Sequence, residues 1–323
     1  MSDAEQQERE QAQSLERVEA GGIPLSAERR LRELGQARRE DGAVAGTFTS
    51  DLSVNGFALC HKLGLTPLSQ VMGSSIYQMG YQGAWGSMGM GGAILVELDT
   101  LSQALNEVRG RALVRLGEEA HHVGADAVVG VQTRAGESQL ETGSLALEHL
   151  VFGTAVRREG ARAKHPILTE LSVAEYAMLL QGGFQPLGIV AWSSVFFTSY
   201  VFGGMVGGGI LGGGGGPMGG GPLGGGSMTS GFQNFELREF TQAVYSARET
   251  VMQRIAGQAS SLGAAGVIGV KIGHSVRPHT LGGGVGMREL RGLMVTFSAV
   301  GTAIEQHGNA TVPAPKPVID LST

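Results

Sequence analysis

The sequence is poor in the residues that mark several common classes of protein. It has one cysteine, Cys60, in 323 residues, which excludes an intramolecular disulfide and favours a reducing compartment. Charged residues make up only 16% of the chain, the net charge is −5, and no run of Lys and Arg with interleaved aromatic residues occurs. The electrostatic pattern of a nucleic-acid-binding protein is therefore missing, and we expect no nucleic-acid partner.

The beginning of the chain lacks the apolar core of a signal peptide, so we expect a cytoplasmic protein. The first 41 residues hold 10 acidic and 7 basic residues, a far higher density of charge than in the rest of the chain. Ser26 precedes an amphipathic stretch, AERRLREL, within this region. The composition predicts a charged helical or flexible arm over 1–43 and a disordered Pro-rich tail over 307–323. Either segment could contact a protein partner.

The rest of the chain consists of two copies of one module. Residues 52–77 align without a gap on residues 171–196, so that Leu52 corresponds to Leu171 at an offset of 119. Farther along, residues 97–131 align on 236–270 at an offset of 139, and VFGTAV at 151–156 aligns on AVGTAI at 299–304 at an offset of 148. The repeat predicts a first module over 44–160 and a second over 165–306.

The second copy is longer between its first strand and its long helix, where it carries the glycine-rich insertion 203–228. Glycine is abundant, with 54 residues in the chain, but this run contains no lysine, and the sequence has no phosphate-binding loop motif. The first copy has a shorter glycine-rich segment at the same place. We therefore expect a flexible or glycine-packed loop in both modules.

Each module shows the same order of predicted elements. A short helix begins the module: in the second copy Ser172 and Glu175 form a capping box, and Gly182 and Gly183 end the helix near 181. An apolar, partly β-branched strand follows, and then a long helix with an apolar stripe at spacings of three and four, whose face we expect to pack on the sheet. The stripe consists of Leu105, Val108, Ala112, Leu116, Ala120 and Val123 in the first copy and of Val244, Ala247, Val251, Ile255, Ala259 and Leu262 in the second. Two further strands complete the module. The fold class is α+β: an antiparallel sheet packed on one long helix, with uncovered sheet edges that favour a homo-oligomer.

The long helices and the strands after them carry a family resemblance. Residues 109–131 and 247–270 resemble the YbjQ family, whose other name is the "putative heavy-metal-binding domain". The A-R-E start of its helix is matched at 247–249, and its L-G-A-D-A-V-V-G-I pattern is matched at 124–130. The resemblance implies dodecin-like β-α-β-β modules that assemble into a pentameric ring around a β-barrel. For tandem modules it implies either two stacked rings of five chains or one ring in which the copies alternate.

Charged residues found in both copies are the first candidates for a ligand site or a ring contact. The positions common to both copies are Arg109/Arg248, Arg115/Arg254 and Glu97/Glu236, and the candidates chosen from them are Arg109, Arg248, Glu97 and Glu236. Ion pairs and subunit contacts are the commoner explanation of such residues, and an anion or partner site is the alternative.

Metal binding is less well supported by the spacing of the residues. The candidates are adjacent pairs and one aspartate, namely His121, His122, Asp126, Cys60 and His61. Adjacent residues on a helix point about 100° apart, which is a poor geometry for chelation. The second copy replaces both adjacent pairs with other residues, so a divalent or heavy metal is an alternative and no cofactor is predicted.

The sequence favours neither catalysis nor membrane insertion. No nucleophile elbow occurs, and Cys60 corresponds to Leu179, which predicts a buried structural thiol. No charged residue occurs over 176–235, but its first half aligns on a polar, glycine-interrupted segment of the first copy. We therefore expect a non-enzymatic, homo-oligomeric binding or scaffolding protein. Heavy-metal binding, a small-molecule carrier and membrane association through 176–235 are the alternatives.

Overall fold

The computed structural model describes residues 3–40, 49–79, 95–140, 144–158, 165–199, 236–281 and 290–308. The predicted glycine-rich insertion and all but the first two residues of the predicted tail lie outside these ranges. The described residues form two modules and an N-terminal arm, and the predicted α+β fold class is confirmed.

The arm and the first module come first along the chain. The arm consists of two helices, α1 (Asp3–Glu19) and α2 (Leu25–Glu40). The first module contains a short leading helix, a long strand, a three-residue strand, a long helix and a pair of long strands: α3 (Val54–Lys62), β1 (Leu65–Met79), β2 (Leu95–Glu97), α4 (Asp99–His122), β3 (Ala127–Gln139) and β4 (Leu145–Arg158).

The second module repeats this plan. A two-residue strand now comes before its leading helix, and the order is β5 (Ile167–Leu168), α5 (Val173–Gln181), β6 (Phe184–Ser199), α6 (Arg238–Ser261), β7 (Gly266–Leu281) and β8 (Leu290–Gln306). The predicted order of helices and strands is confirmed in both modules.

Local sequence signals explain where the helices begin and end. The Ser172 hydroxyl accepts from the backbone N–H of Glu175, and the Glu175 carboxylate accepts from the backbone N–H of Ser172, which completes the predicted capping box of α5. Ser53 caps α3 in the same way, but Gly56 offers no side chain to return the bond. After each long helix the chain turns through a glycine at φ 74°, Gly124 and Gly263, a conformation that other residues rarely adopt.

Each module packs its long helix on one face of an antiparallel sheet. In the first module the helix residues Val108, Ala112 and Leu116 are buried, as the predicted stripe requires. In the second module Ala247, Val251 and Ile255 occupy the equivalent positions and are buried as well. Burial of these apolar side chains is the main force that holds helix and sheet together.

Among the described residues the arm packs on α4 of the first module, and this contact explains one difference between the two helical stripes. The guanidinium of Arg115 donates to the carbonyl oxygens of Gly22 at 3.1 Å and of Val18 at 2.8 Å. Val123, at the end of the stripe, is buried in the core cluster that also contains Leu31 of α2. Its equivalent Leu262 was expected to be on the packed face but is exposed. No second arm covers it among the described residues.

The two sheets exchange short strands between the modules. The strand order is β1-β4-β3-β5 in the first sheet and β2-β6-β8-β7 in the second. Thus β2, from the first module, pairs antiparallel with β6 of the second, from Leu95 opposite Thr198 to Glu97 opposite Phe196. In return β5, which leads into the second module, pairs parallel with β3 of the first. Each exchanged strand covers a sheet edge of the neighbouring module.

Candidate functional site: the contact between the two modules

The start of α4 lies on the second module as well as on its own sheet. Val195 and Phe197 of β6 share a buried apolar cluster with Leu98 and Val108 of the first module. The backbone N–H of Leu98 donates to the carbonyl oxygen of Val195 at 2.7 Å. The Ser102 hydroxyl accepts from the backbone N–H of Val195 at 2.9 Å. The backbone of Leu98, just before α4, and the Ser102 side chain of α4 therefore satisfy the outer edge of β6 where β2 ends.

A polar group at this contact connects α4 to Ser193 of β6. The Asn106 amide accepts from the backbone N–H of Ser193 and donates to its carbonyl oxygen, both at 2.8 Å. Arg109, one helical turn farther along, donates to the Asn106 side-chain oxygen at 3.0 Å and to the Ser193 hydroxyl. Since all three residues are partly or fully buried, the contact fixes the register of the helix on the strand.

Burial changes the acid–base properties of the residues around Arg109. Removal from water lowers the pKa of the Arg109 guanidinium to about 10. The same desolvation, reinforced by the positive charge of Arg109, lowers the pKa of His149 on β4 to about 4. The Nε atom of Arg109 and the Nε2 atom of His149 have no hydrogen-bond partner among the described residues. His149 is therefore neutral at neutral pH and lies beside a buried cation.

Glu170 supplies negative charge from the segment that enters the second module. Burial raises the pKa of its carboxyl group, while Lys271 and Arg109 act in the opposite direction. The Nζ atom of Lys271 lies 3.6 Å from Glu170 Oε1. In the first module the equivalent residues, Gln132 and Asp51, form a hydrogen bond of 3.5 Å. Both modules thus join their leading segment to their third strand through a polar pair.

The four shared charged residues predicted as site candidates, Arg109, Arg248, Glu97 and Glu236, divide into two environments. In the first module Arg109 contacts Ser193, and the Glu97 carboxylate accepts from the Ser194 hydroxyl, so both residues bridge the modules. In the second module Arg248 is exposed, and Glu236, also exposed, accepts from the Thr241 hydroxyl of its own helix at 2.9 Å. The structure therefore does not bring all four residues to one place.

The polar partners of this contact were not singled out from the sequence. Asn106, Ser102 and His149 have no equivalent of the same type in the second copy, where Tyr245, Thr241 and Phe297 stand. One signal was present: a Ser-Ser pair occurs at the same position of both first strands, at 74–75 and 193–194, within otherwise apolar runs. Polar residues repeated inside a buried strand indicate a specific hydrogen-bond partner.

The metal-ligand candidates lie apart from one another. Within the described ranges, no group of three or more His, Cys, Asp and Glu residues could hold a metal ion. Cys60 is buried among apolar side chains, and burial raises the pKa of its thiol, which disfavours the thiolate that binds metals. His122 approaches Glu28 of the arm at 3.9 Å, while Asp126 accepts from the backbone N–H of Arg158. This set of donors does not fit a metal centre.

The uncharged segment also has a definite structure in its described part. Residues 176–181 complete α5, and 184–199 form β6. Among the helices that the structure describes, none has the length and apolar character needed to cross a membrane. The remainder of the segment, 200–235, lies outside the described residues.

Comparison with known proteins assigns both modules to one family. The YbjQ family model, described as "Putative heavy-metal-binding", matches residues 62–159 and 226–306. An encapsulin nanocompartment protein of Mycobacterium tuberculosis is 31% identical over 286 residues, which cover 86% of this chain and 93% of that protein. No solved structure matches the chain. The family matches fall on the two modules and leave the arm outside.

Proposed function

This chain belongs to the YbjQ family, and we propose that it is a non-enzymatic scaffold that assembles with copies of itself into a ring. The observation that carries the proposal is the state of the sheet edges. Within the described residues β3 and β6 have their outer edges covered by exchanged strands, whereas β1 and β7 are the end strands of their sheets. Long uncovered strands readily pair with another chain, so both ends of the molecule are suited to self-association.

The similarity to a protein named for a nanocompartment supports the same role. We propose that this chain, too, is a component of a protein assembly in the cytoplasm, and that its principal partner is itself. The family resemblance favours five chains in the assembly. The buried polar groups at the module contact act in this proposal as structural residues, because they bind one another across the two modules.

The mass of the protein in solution tests this proposal. We expect sedimentation velocity and native mass spectrometry to show a discrete homo-oligomer that is stable on dilution to micromolar concentration, with five chains as the favoured number. A monomer of 33.5 kDa at every concentration would overturn the proposal. A discrete oligomer with another number of chains would remove only the pentamer.

Heavy-metal binding is the alternative that the family description names. Metal analysis of protein purified without chelators decides between the two functions. We expect less than stoichiometric zinc, copper or nickel per module, because the described residues provide no suitable donor set. One tightly held metal ion per module, lost on chelation together with the oligomer, would make metal binding the primary function.

A further inference from the structure

The repeat gives nearly every residue at the contact between the modules a counterpart elsewhere in the chain. In the leading segment and first strand the offset is 119, so that Ile76 corresponds to Val195. In the long helix and third strand the offset is 139, so that Leu237 corresponds to Leu98. The contact joins the helix side of the first module (β2, the start of α4 and the edge of β3) to the leader side of the second (residues 167–176 and β6). The second module has its own helix side, and the first module its own leader side.

Apolar residues at this contact are buried, and their counterparts are exposed. On the helix side, Leu98 is 2% exposed and its counterpart Leu237 is 46% exposed. On the leader side, Val195 is 0% exposed and Ile76 is 71% exposed. At these two positions the residue is therefore apolar in both copies but covered in only one, while the neighbouring Phe197 has the polar counterpart Gln78.

The leading helices show the same contrast. Val173 of α5 is 2% exposed because it packs in a cluster with Ala127 and Val129 of the first module. Its counterpart on α3, Val54, is 86% exposed. The counterparts of Ala127 and Val129 are Gly266 and Ile268 on β7, which is the end strand of its sheet among the described residues; Ile268 is half-buried because it packs against the same cluster as Val173. The exposed Val54 on the leader side of the first module thus corresponds to a residue that, in the second module, packs on the third strand of the neighbouring module.

Two of the side-chain pairs that bridge the modules are repeated in residue type, although Asn106 is replaced by Tyr245. The bridging pairs of the module contact are Arg109 with Ser193 and Glu97 with Ser194. Their counterparts keep the same residue types on both sides: Arg248 with Ser74, and Glu236 with Ser75. Arg248 and Ser74 are both exposed and lie in different modules, so this pair has the right chemistry for a contact between two chains, whereas Ser75 is already buried in its own module.

The backbone of β1 at Ile76 corresponds to the backbone of β6 at Val195. At Val195 the carbonyl oxygen accepts from the Leu98 N–H, and the N–H donates to the Ser102 hydroxyl. The counterpart of Ser102 is Thr241, which keeps the hydroxyl. Beside the end of β1 a groove of about 640 Å³ is lined by Tyr77, Gln78 and Met79, the counterparts of the three β6 residues that pair with β2.

We propose that the second module of one chain docks on the first module of the next chain through a copy of the contact seen within the chain. In this contact Leu237 N–H donates to the carbonyl oxygen of Ile76, Arg248 binds the Ser74 hydroxyl, and Val54 packs on β7. First and second modules then alternate along one continuous ring. Because each chain contributes one module of each kind, the ring contains an even number of modules. The inference rests on the proposed self-assembly and specifies its geometry as head to tail.

Two single substitutions test the geometry. Ile76→Asp places a carboxylate on the leader side and Leu237→Asp places one on the helix side, and each is expected to weaken association by more than about 100-fold because the contact would bury an unpaired charge. The matched control is Val114→Asp, since Val114 is 56% exposed on α4 and its counterpart Gln253 is exposed too. This control should keep the oligomeric mass of the unaltered protein.

A mixture of the two variants distinguishes a head-to-tail contact from a symmetric one. The Ile76→Asp chain retains an intact second module, and the Leu237→Asp chain an intact first module, so an equimolar mixture should form dimers and nothing larger. Circular dichroism confirms that each variant is folded. If the unaltered protein is oligomeric but both variants keep its mass, or if the mixture stays monomeric, this inference is wrong and the proposed function stands. A monomeric unaltered protein would overturn both.

Discussion

The buried histidine next to Arg109 predicts a loss of stability in mild acid. His149 is held neutral in the folded protein, since burial and the Arg109 charge lower its pKa to about 4. In the unfolded chain the same imidazole has an ordinary pKa of about 6.5. The unfolded state therefore binds more protons between these two values, and acid favours unfolding. We expect substitution by Phe to remove this dependence, because Phe297 fills the equivalent position of the second module.

The sign and size of the effect follow from proton linkage. A group whose pKa is lowered on folding contributes stability above its unfolded pKa, and this stability is lost as the pH falls toward the folded pKa. Complete loss corresponds to roughly 3 kcal/mol, since one pKa unit equals about 1.36 kcal/mol. Roughly 2 kcal/mol should be lost between about pH 7.5 and about pH 5. A carboxyl group whose pKa is raised by burial, such as that of Glu170, acts in the opposite direction over its own window.

Urea unfolding of the unaltered protein, His149→Phe and His149→Gln at the same protein concentration measures this term. The quantity to compare is the change in unfolding free energy between about pH 7.5 and about pH 5. The unaltered protein should lose roughly 2 kcal/mol more than either variant. His149→Gln controls for packing, because it keeps a polar side chain that does not titrate. Equal pH dependence in all three proteins would refute a buried neutral histidine at this site.

Substitutions of Glu119 and of Gly73, each with a matched comparison variant, test the packing of α4 against its own sheet. Glu119→Gln should change the unfolding free energy by less than about 1 kcal/mol, because the amide can still accept from the Met72 N–H. Burial raises the pKa of the Glu119 carboxyl, so the unaltered protein loses stability as the pH rises from the ordinary carboxyl range toward this raised pKa, and Glu119→Gln should remove that loss. Glu119→Ala should cost about 1–3 kcal/mol by the same urea assay. Gly73→Ala should lower the unfolding free energy by about 3 kcal/mol, since its Cβ would overlap the Ala112 carbonyl and lie 2.6 Å from the nitrogen of Leu116. The matched Gly110→Ala, with open space around its Cβ, should be neutral or stabilising by up to about 1 kcal/mol, and equal losses in the two glycine variants would contradict the close helix–strand approach.

The sequence was sufficient to predict the elements of each module because their signals are local. The capping box of Ser172 and Glu175 predicted α5 to within a residue of its ends. The apolar stripe from Val108 to Leu116 predicted which face of α4 is buried, since 3.6-residue periodicity is set by the helix itself. Leu262 departs from its predicted burial because burial there depends on the arm, which packs on the first module. The repeat also predicted that the two modules share one order of elements.

The strand exchange could not be predicted from such signals. β2 is three residues long and β5 is two, which is too short for alternation of polar and apolar residues to be recognised. Both strands are defined by the edge they cover, and that edge belongs to the other module. The same holds for Asn106, whose partner Ser193 lies on a strand 87 residues away. Contacts of this kind depend on how two folded modules pack together, and the residue pattern of a single helix or strand does not specify that packing.

The duplication provides an internal control that a single module would lack. Two copies with one fold would be expected to differ in exposure only where their residues differ in type. Arg109 and Arg248 are the same residue at the same helical position, yet one is buried against Ser193 and the other is exposed. The difference therefore comes from what each residue meets. Arg248 is exposed but keeps the residue type, and so does Ser74, the counterpart of Ser193 in the first module. A contact between two chains would account for both residues, and the mixture of the two variants measures whether that contact forms.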